Sequence, residues 1–160
     1  MSDMLVKLYG LNEVGSVEDF KKRTGVTIRR AMPPEKHVVT GWVNEHFGLP
    51  WVSECEVAFS RPAVNCLVAI EDNKMLGFAC YDVTAKGFFG PTGVDEKEQG
   101  RGIGKMLCLY ALQLMRAEGY GYAIIGGAGP TEFYAKAIGA TIIEGSVPGI
   151  YNGMLNKEWD

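Results

Sequence analysis

Histidine and cysteine are scarce in this 160-residue chain, with two of the first and four of the second. His37 and His46 stand nine positions apart, a spacing that does not bring two imidazoles together as i and i+4 would on a helix. Cys55, Cys66, Cys80 and Cys108 sit singly in apolar contexts with no C-x-x-C pair. No zinc site or dithiol redox motif is written there, the expectation is free buried thiols, and no metal is called for. No apolar run approaches the ~20 residues that span a bilayer, and residues 1–10 lack the basic start and continuous apolar centre of a signal peptide. The expected setting is cytoplasmic, away from membranes. Positive charge is also scarce, with 16 Lys and Arg against 19 Asp and Glu and a formal net charge of −3. The clustered cationic surface that nucleic-acid binding needs is therefore missing.

What is abundant is glycine. There are 21 glycines, and fifteen of them follow Lys86. Glycine loses more conformational entropy on folding than any other residue, so this concentration implies turns, bulges or backbone brought close to a ligand, and places function in the second half. A 47% hydrophobic and 22% charged composition is that of a folded chain, long enough for one core.

The first 25 residues read as an N-terminal appendage with one short helix, in which Ser16 caps and Asp19 takes the third position. Residues 26–160 read as a single domain. Val26 to Arg30 alternates as a strand, and Pro33-Pro34 then opens a helix carrying Val38, Val39, Trp42, Val43, His46 and Phe47 at three-and-four spacing, closed by Gly48. A second helix carries Trp51, Val52, Cys55, Ala58 and Phe59. Residues 64–70 and 75–81 form a hairpin across Glu71-Asp72-Asn73-Lys74. The run 86–94 contains Pro91, which cannot donate to a ladder, so that strand is distorted or its neighbour has moved away. Residues 103–118 form the strongest helix, apolar nearly all round, and residues 122–125 complete a strand–helix–strand unit with parallel strands. A short helix over 130–138 and strands over 141–144 and 150–155 finish the chain.

Gln99-Gly100-Arg101-Gly102-Ile103-Gly104-Lys105 lies between a strand and that apolar helix. Glycines let backbone approach a ligand, and the first helical amides lack intrahelical acceptors and favour negative charge. Arg101 and Lys105 add cations. A P-loop is excluded because Gln99 stands five positions before Gly104 and Met106 follows Lys105. A G-x-G-x-x-G fingerprint fails at Lys105 or Leu107, depending on where it starts. Taken alone, the segment reads equally as an anion cradle or as a glycine-rich entry to a helix.

With its surroundings the segment resembles the GNAT superfamily of acyl-CoA-dependent N-acyltransferases. That family's pyrophosphate loop reads [QR]-x-x-G-x-[GA] after a strand carrying a valine-type residue five positions earlier. Gln99, Gly102 and Gly104 match, Val94 holds the earlier position, and the order of elements from Val26 to Leu155 agrees. The resemblance implies an α/β fold of α+β type, with a mostly antiparallel central sheet, a splayed parallel pair and helices on both faces. It implies acetyl-CoA as cosubstrate and transfer to a primary amine of a small molecule or peptide by direct attack.

The main chain of Gly100, Arg101, Gly102, Ile103, Gly104 and Lys105 would cradle the pyrophosphate, and Thr92 and Val94 would present unpaired backbone groups to the pantetheine arm. Tyr134 is similar to the family tyrosine that protonates the departing thiolate. A phenol with pKa near ~10 suits that role, though packing on Ile138 at i+4 is the alternative. Gly139 follows Tyr134 by five positions rather than the frequent four. Gly126-Gly127-Ala128-Gly129 replaces the frequent asparagine, which implies a widened pocket. Nothing between Gly87 and Val94 ionises, and Glu54, Glu56 and Asp82 read as solvated carboxylates, so no base is assigned. Trp42, Trp51, Phe88 and Phe89 are candidates for an apolar acceptor wall. A CoA-binding module without turnover is the rival reading, and a homodimer is left open.

Overall fold

A computed structural model describes residues 1–12 and 15–155. Among these residues seven strands form one mixed sheet. They are β1 (Met4–Lys7), β2 (Thr27–Arg30), β3 (Cys66–Glu71), β4 (Lys74–Tyr81), β5 (Phe88–Val94), β6 (Tyr122–Ile125) and β7 (Thr141–Ile142). Their spatial order is β2-β3-β4-β5-β6-β1-β7, and β5–β6 is the single parallel pair in an otherwise antiparallel sheet. Five α-helices among the described residues accompany it: α1 (Val17–Thr24), α2 (Lys36–His46), α3 (Leu49–Ala58), α4 (Ile103–Ala117) and α5 (Thr131–Ile138).

Period-two alternation divides the sheet between two cores. On β3 and β4, Leu67, Ala69, Ala79 and Tyr81 face one way, into a cluster with Phe20 of α1, Leu107 and Leu112 of α4, and Ile138 of α5. Cys66, Val68, Phe78 and Cys80 face the other way, onto Val39 and Val43 of α2 and Cys55 of α3. Helices therefore cover both faces, as expected for this fold class. No helix among the described residues is long and apolar enough to cross a membrane.

Local signals act as expected at several ends. Ser16 Oγ accepts from the Asp19 amide at 3.1 Å, and Gly25 closes α1 at φ +81. Asp72 and Asn73 both adopt positive φ, the two-residue turn whose twist matches a hairpin. Two regions differ from expectation. Met4–Lys7, in the segment read as an appendage, lies inside the sheet between β6 and β7, with Met4, Val6 and Leu8 fully buried. Residues 150–155 are not a strand: a 3-10 turn occupies Gly149–Tyr151. Gly149 and Gly153 both take positive φ, which breaks the extended run.

Ahead of α2, the Arg29 guanidinium forms a bidentate pair with Glu35 at 2.8 Å on both nitrogens, and the Met32 amide donates to Glu35 at 2.7 Å. The Arg29 hydrogen bond, reinforced by the Met32 amide, holds the Glu35 carboxyl at about 2, well below the usual carboxylate range. Because this pKa is depressed by folding, the pair's stabilisation is present above the unfolded value near ~4.3 and is lost as pH falls towards about 2. Glu35→Gln should cost about 1 kcal/mol at neutral pH, a solvent-screened value because both side chains are partly exposed. Thermal melts should show the wild-type advantage shrinking across that acid window.

Candidate active site

The splay between β5 and β6 organises the site. The two strands pair only at Phe88 with Ile124 and Phe89 with Ile125. Beyond that point one extra residue enters β5 opposite β4, since Tyr81 faces Phe89 while Ala79 faces Thr92. The bulge falls at Gly90 and Pro91, with Gly90 at φ +117, so the proline stands where β6 has already moved away. The Asp95 amide donates to Leu76 O at 2.9 Å. Antiparallel alternation then directs Gly93 toward β4 and turns the main-chain groups of Thr92 and Val94 toward the open side.

Close packing holds that strand in place. A Cβ added at buried Gly77 would lie 2.9 Å from Gly93 O, 3.2 Å from Val94 Cγ2 and 3.3 Å from Leu107 Cδ1. The first of these is backbone, so β5 would have to move. Gly77→Ala should lose about 1–3 kcal/mol of stability, measured by denaturant midpoint.

α4 begins at the mouth of the splay. Gly102 precedes it at φ +80 with no side-chain cap, and the first turn carries no acidic residue. The first intrahelical bond runs from the Met106 amide to Gly102 O at 3.0 Å. Among the described residues, the amides of 100–105 have no protein acceptor. Ile103 is buried as the anchor of the helix, while Gln99, Gly100, Gly102 and Lys105 are exposed.

A cavity of about 820 Å³ joins these parts, within the usual ~300–1,000 Å³ of small-molecule sites. Thr92, Val94, Gln99, Gly100, Gly102, Ile103, Gly104, Lys105 and Tyr134 all line it. Arg101 does not. Its guanidinium turns away to Glu71 at 2.9 and 3.0 Å, Glu98 at 2.6 Å and Thr24 O at 3.3 Å. That side chain braces the loop against β3 and α1, leaving Lys105 as the cation at the cavity among the described residues.

Tyr134 is buried on α5 beside Cys108 of α4, and both line the cavity. Burial and the nearby Cys108 raise the phenol above its ordinary value, while burial pushes the Cys108 thiol up to about 12. Both groups therefore stay protonated at neutral pH. The five-residue step to Gly139 is a helix end: Gly139 takes φ +67, and the Ala140 amide returns to Tyr134 O at 3.2 Å.

The loop 126–129 forms a further wall. A Cβ at Gly126 would stand 2.6 Å from the Tyr151 hydroxyl and 2.9 Å from Phe88. The N-terminal segment braces this loop: Gly127 N donates to the buried Asp3 carboxylate at 2.8 Å, Ala128 N donates to Ser2 O at 2.9 Å, and Met1 lines the cavity. Sequence reasoning missed Asp3 and Met1, and no local pattern marks them.

Of the aromatic candidates, Trp51 and Phe89 line the cavity, whereas Trp42 stacks on His46 and packs with the α2–α3 core. Of the carboxylates weighed as bases, Glu56 is exposed and does not line the cavity, and the other two are engaged elsewhere. Asp82 accepts from Tyr120 Oη and the Gly87 amide, both at 2.7 Å, and Glu54 accepts from Thr84. Glu98 is the one carboxylate lining the cavity among the described residues, and Arg101 holds it.

A parallel pair that parts over an uncapped helix N-terminus defines this as an α/β protein with an open cleft at the splay. The chain belongs to the acetyltransferase (GNAT) family, whose sequence model matches residues 30–139, more than two thirds of its length.

Solved structures agree on the fold. A GCN5-related glucosamine N-acetyltransferase region of a fungal multi-domain GH3 β-N-acetylglucosaminidase superposes with TM-score 0.71 at 14% identity, over 89% of this chain and 19% of that one. A GCN5-related N-acetyltransferase from Sphaerobacter thermophilus gives 0.69 at 22%, over 89% and 48%. A GNAT family acetyltransferase from Brucella melitensis, solved in complex with acetyl-CoA, gives 0.53 at 21%, over 74% and 86%. This chain thus spans half or less of the first two. No curated protein matches it.

Proposed function

We propose that the protein is an N-acetyltransferase that moves an acetyl group from acetyl-CoA to a primary amine by direct attack within a ternary complex. The observation that carries this reading is the run of unpartnered amides at residues 100–105, opening onto the same cavity as the splayed strand and Tyr134. Those amides and Lys105 suit a pyrophosphate, since a helix N-terminus favours anions and charge-assisted bonds are worth about 1.5–3 kcal/mol each. The freed main-chain groups of Thr92 and Val94 suit the amide-rich pantetheine arm. The Val94 N–H lies on the side where it would polarise the thioester carbonyl and stabilise the oxyanion.

The amine nitrogen then attacks the carbonyl carbon. As the tetrahedral intermediate collapses, the C–S bond breaks and the Tyr134 hydroxyl donates its proton to the departing sulfur. The proton lost by the amine passes to water. Cys108, the thiol beside Tyr134, is held protonated by burial, which supports direct transfer to the amine over an acyl-cysteine route. Acceptors are small-molecule or peptide amines, and Trp51 and Phe89 supply the apolar wall of the cleft.

One observation favours a second reading, a CoA-binding module without turnover: among the described residues the only carboxylate at the cavity is already paired with Arg101. Thermal melts with CoA, acetyl-CoA, ATP and NAD test the cofactor, with stabilisation expected from the first two alone. Thiol release from acetyl-CoA across an amine panel then separates transferase from module. Stabilisation by ATP or NAD without CoA would overturn both readings.

A further inference from the structure

Three of the four cysteines, far apart in sequence, meet in the core on the face of the sheet covered by α2 and α3. Cys55 Sγ of α3 lies 3.9 Å from Cys66 Sγ of β3 and 4.0 Å from Cys80 Sγ of β4. All three sulfurs fall within 4.8 Å of one another, and none of the three residues is exposed to solvent. The sheet itself builds one edge of this triangle. Cys66 faces Cys80 across the hairpin, and the Tyr81 amide donates to Asn65 O at 3.2 Å. That makes Cys66 and Cys80 a non-hydrogen-bonded pair, the kind whose side chains approach most closely. α3 supplies the third corner from above. Acetyl transfer uses none of the three: the thiol at the cofactor cavity, Cys108, belongs to the opposite core.

A triangle with edges of 3.9 and 4.0 Å and a third no longer than 4.8 Å has a centre roughly 2.2–2.5 Å from each corner, so an ion with the ~2.3 Å bond of a metal–thiolate reaches all three sulfurs, and a pyramidal ion seated above their plane draws them a few tenths of an ångström closer together. We propose that Cys55, Cys66 and Cys80 form a three-thiol site for a soft trivalent ion, with arsenic(III) as its type. Thiolate sulfur selects soft ions. Structural zinc almost always takes four ligands, and among the described residues no fourth His, Cys, Asp or Glu atom joins the group.

Charge makes the finer choice. The cluster is walled by Val39, Val43, Val64, Val68 and Phe78, and among the described residues no Lys or Arg side chain bonds to a thiol. Three thiolates around monovalent copper would bury two net negative charges, and around a divalent ion one. Around a trivalent centre they bury none, and uncompensated charge is what an apolar core excludes most strongly. The exchange balances without redox. Arsenous acid and three thiols form three As–S bonds, three As–O and three S–H bonds break, and three waters leave. Because the thiols are enclosed, loading requires α3 to lift from the sheet or takes place during folding.

The test uses the full chain, fully reduced, incubated with sodium arsenite both as folded protein and during refolding from denaturant. Native mass spectrometry should show one arsenic gained with three hydrogens lost, by at least one of the two routes. Arsenic-edge X-ray absorption should show a shell of three sulfurs, and the melting temperature should rise. Cys55→Ala and Cys66→Ala should lose the bound arsenic, and Cys108→Ala should keep it. If the core variants fail to fold, the wild-type absorption shell and the Cys108→Ala result decide the matter. Failure to retain arsenic by either route, oxygen in the first shell, or loss of binding in Cys108→Ala overturns the proposal. So does retention of cadmium or copper(I) in place of arsenite, because the neutral-complex argument then fails.

Discussion

Tyr134→Phe should lower acetyl transfer about 10²- to 10⁴-fold, the usual contribution of a general acid, with acetyl-CoA affinity nearly unchanged. Phenylalanine keeps the ring that packs between α5 and α4 and removes only the hydroxyl. No buried, unsatisfied side-chain oxygen occurs among the described residues, and Tyr134 lines the cavity, so the hydroxyl reaches open space where a departing sulfur would lie. Because burial and Cys108 raise its pKa, the phenol remains a donor through neutral and mildly alkaline pH. An alkaline loss of rate is therefore not expected from its ionisation in that range. Steady-state rates with a responsive amine, set beside CoA-dependent melting shifts, check both parts. Undiminished turnover would make Tyr134 a packing residue.

Gly102→Glu should abolish CoA-dependent stabilisation while leaving the fold in place. The substitution puts a carboxylate where the unpartnered amides would meet the proposed pyrophosphate, on a backbone whose φ of +80 already disfavours a side chain. Gly102 is exposed, and its nearest neighbour to an added Cβ is Phe20 Cε1 at 3.8 Å, so packing tolerates the change. At a CoA concentration of about 100 Kd the wild type should gain about 2.7 kcal/mol, and the variant should gain nothing measurable. Gly104→Ala provides the contrast. Its Cβ would sit 3.5 Å from Val94 Cγ2, an ordinary contact, and binding should survive. A melting shift retained in Gly102→Glu would move the pyrophosphate away from α4.

Much of the architecture was legible in the chain because its signals are local. The boundaries of β6 follow from a four-residue apolar run, α1 from a serine cap, and the β3–β4 turn from Asp72-Asn73. Each depends on neighbours within about one turn. The distortion of β5 was readable from Pro91 alone, since a missing donor has the same consequence in any sheet. Residues 150–155 misled because their apolar content resembles a strand, while Gly149 before them and Gly153 among them set the backbone otherwise. Arg101 misled for a different reason. Its backbone belongs to the loop as read, but Glu71, thirty positions away, draws its guanidinium out of the cavity.

By itself the sequence determined the order of strands and helices from residue 26 to 142 and the glycine-rich helix entry, because periodicity, caps and backbone freedom are properties of adjacent residues, while the family followed from the resemblance carried by Gln99, Gly102 and Gly104. Only the tertiary structure decided that Met4–Lys7 completes the sheet, that Asp3 braces the cavity wall, and that Cys55, Cys66 and Cys80 converge. Strand pairing and helix docking bring those groups together across long stretches of chain, and no spacing along the sequence records such a meeting.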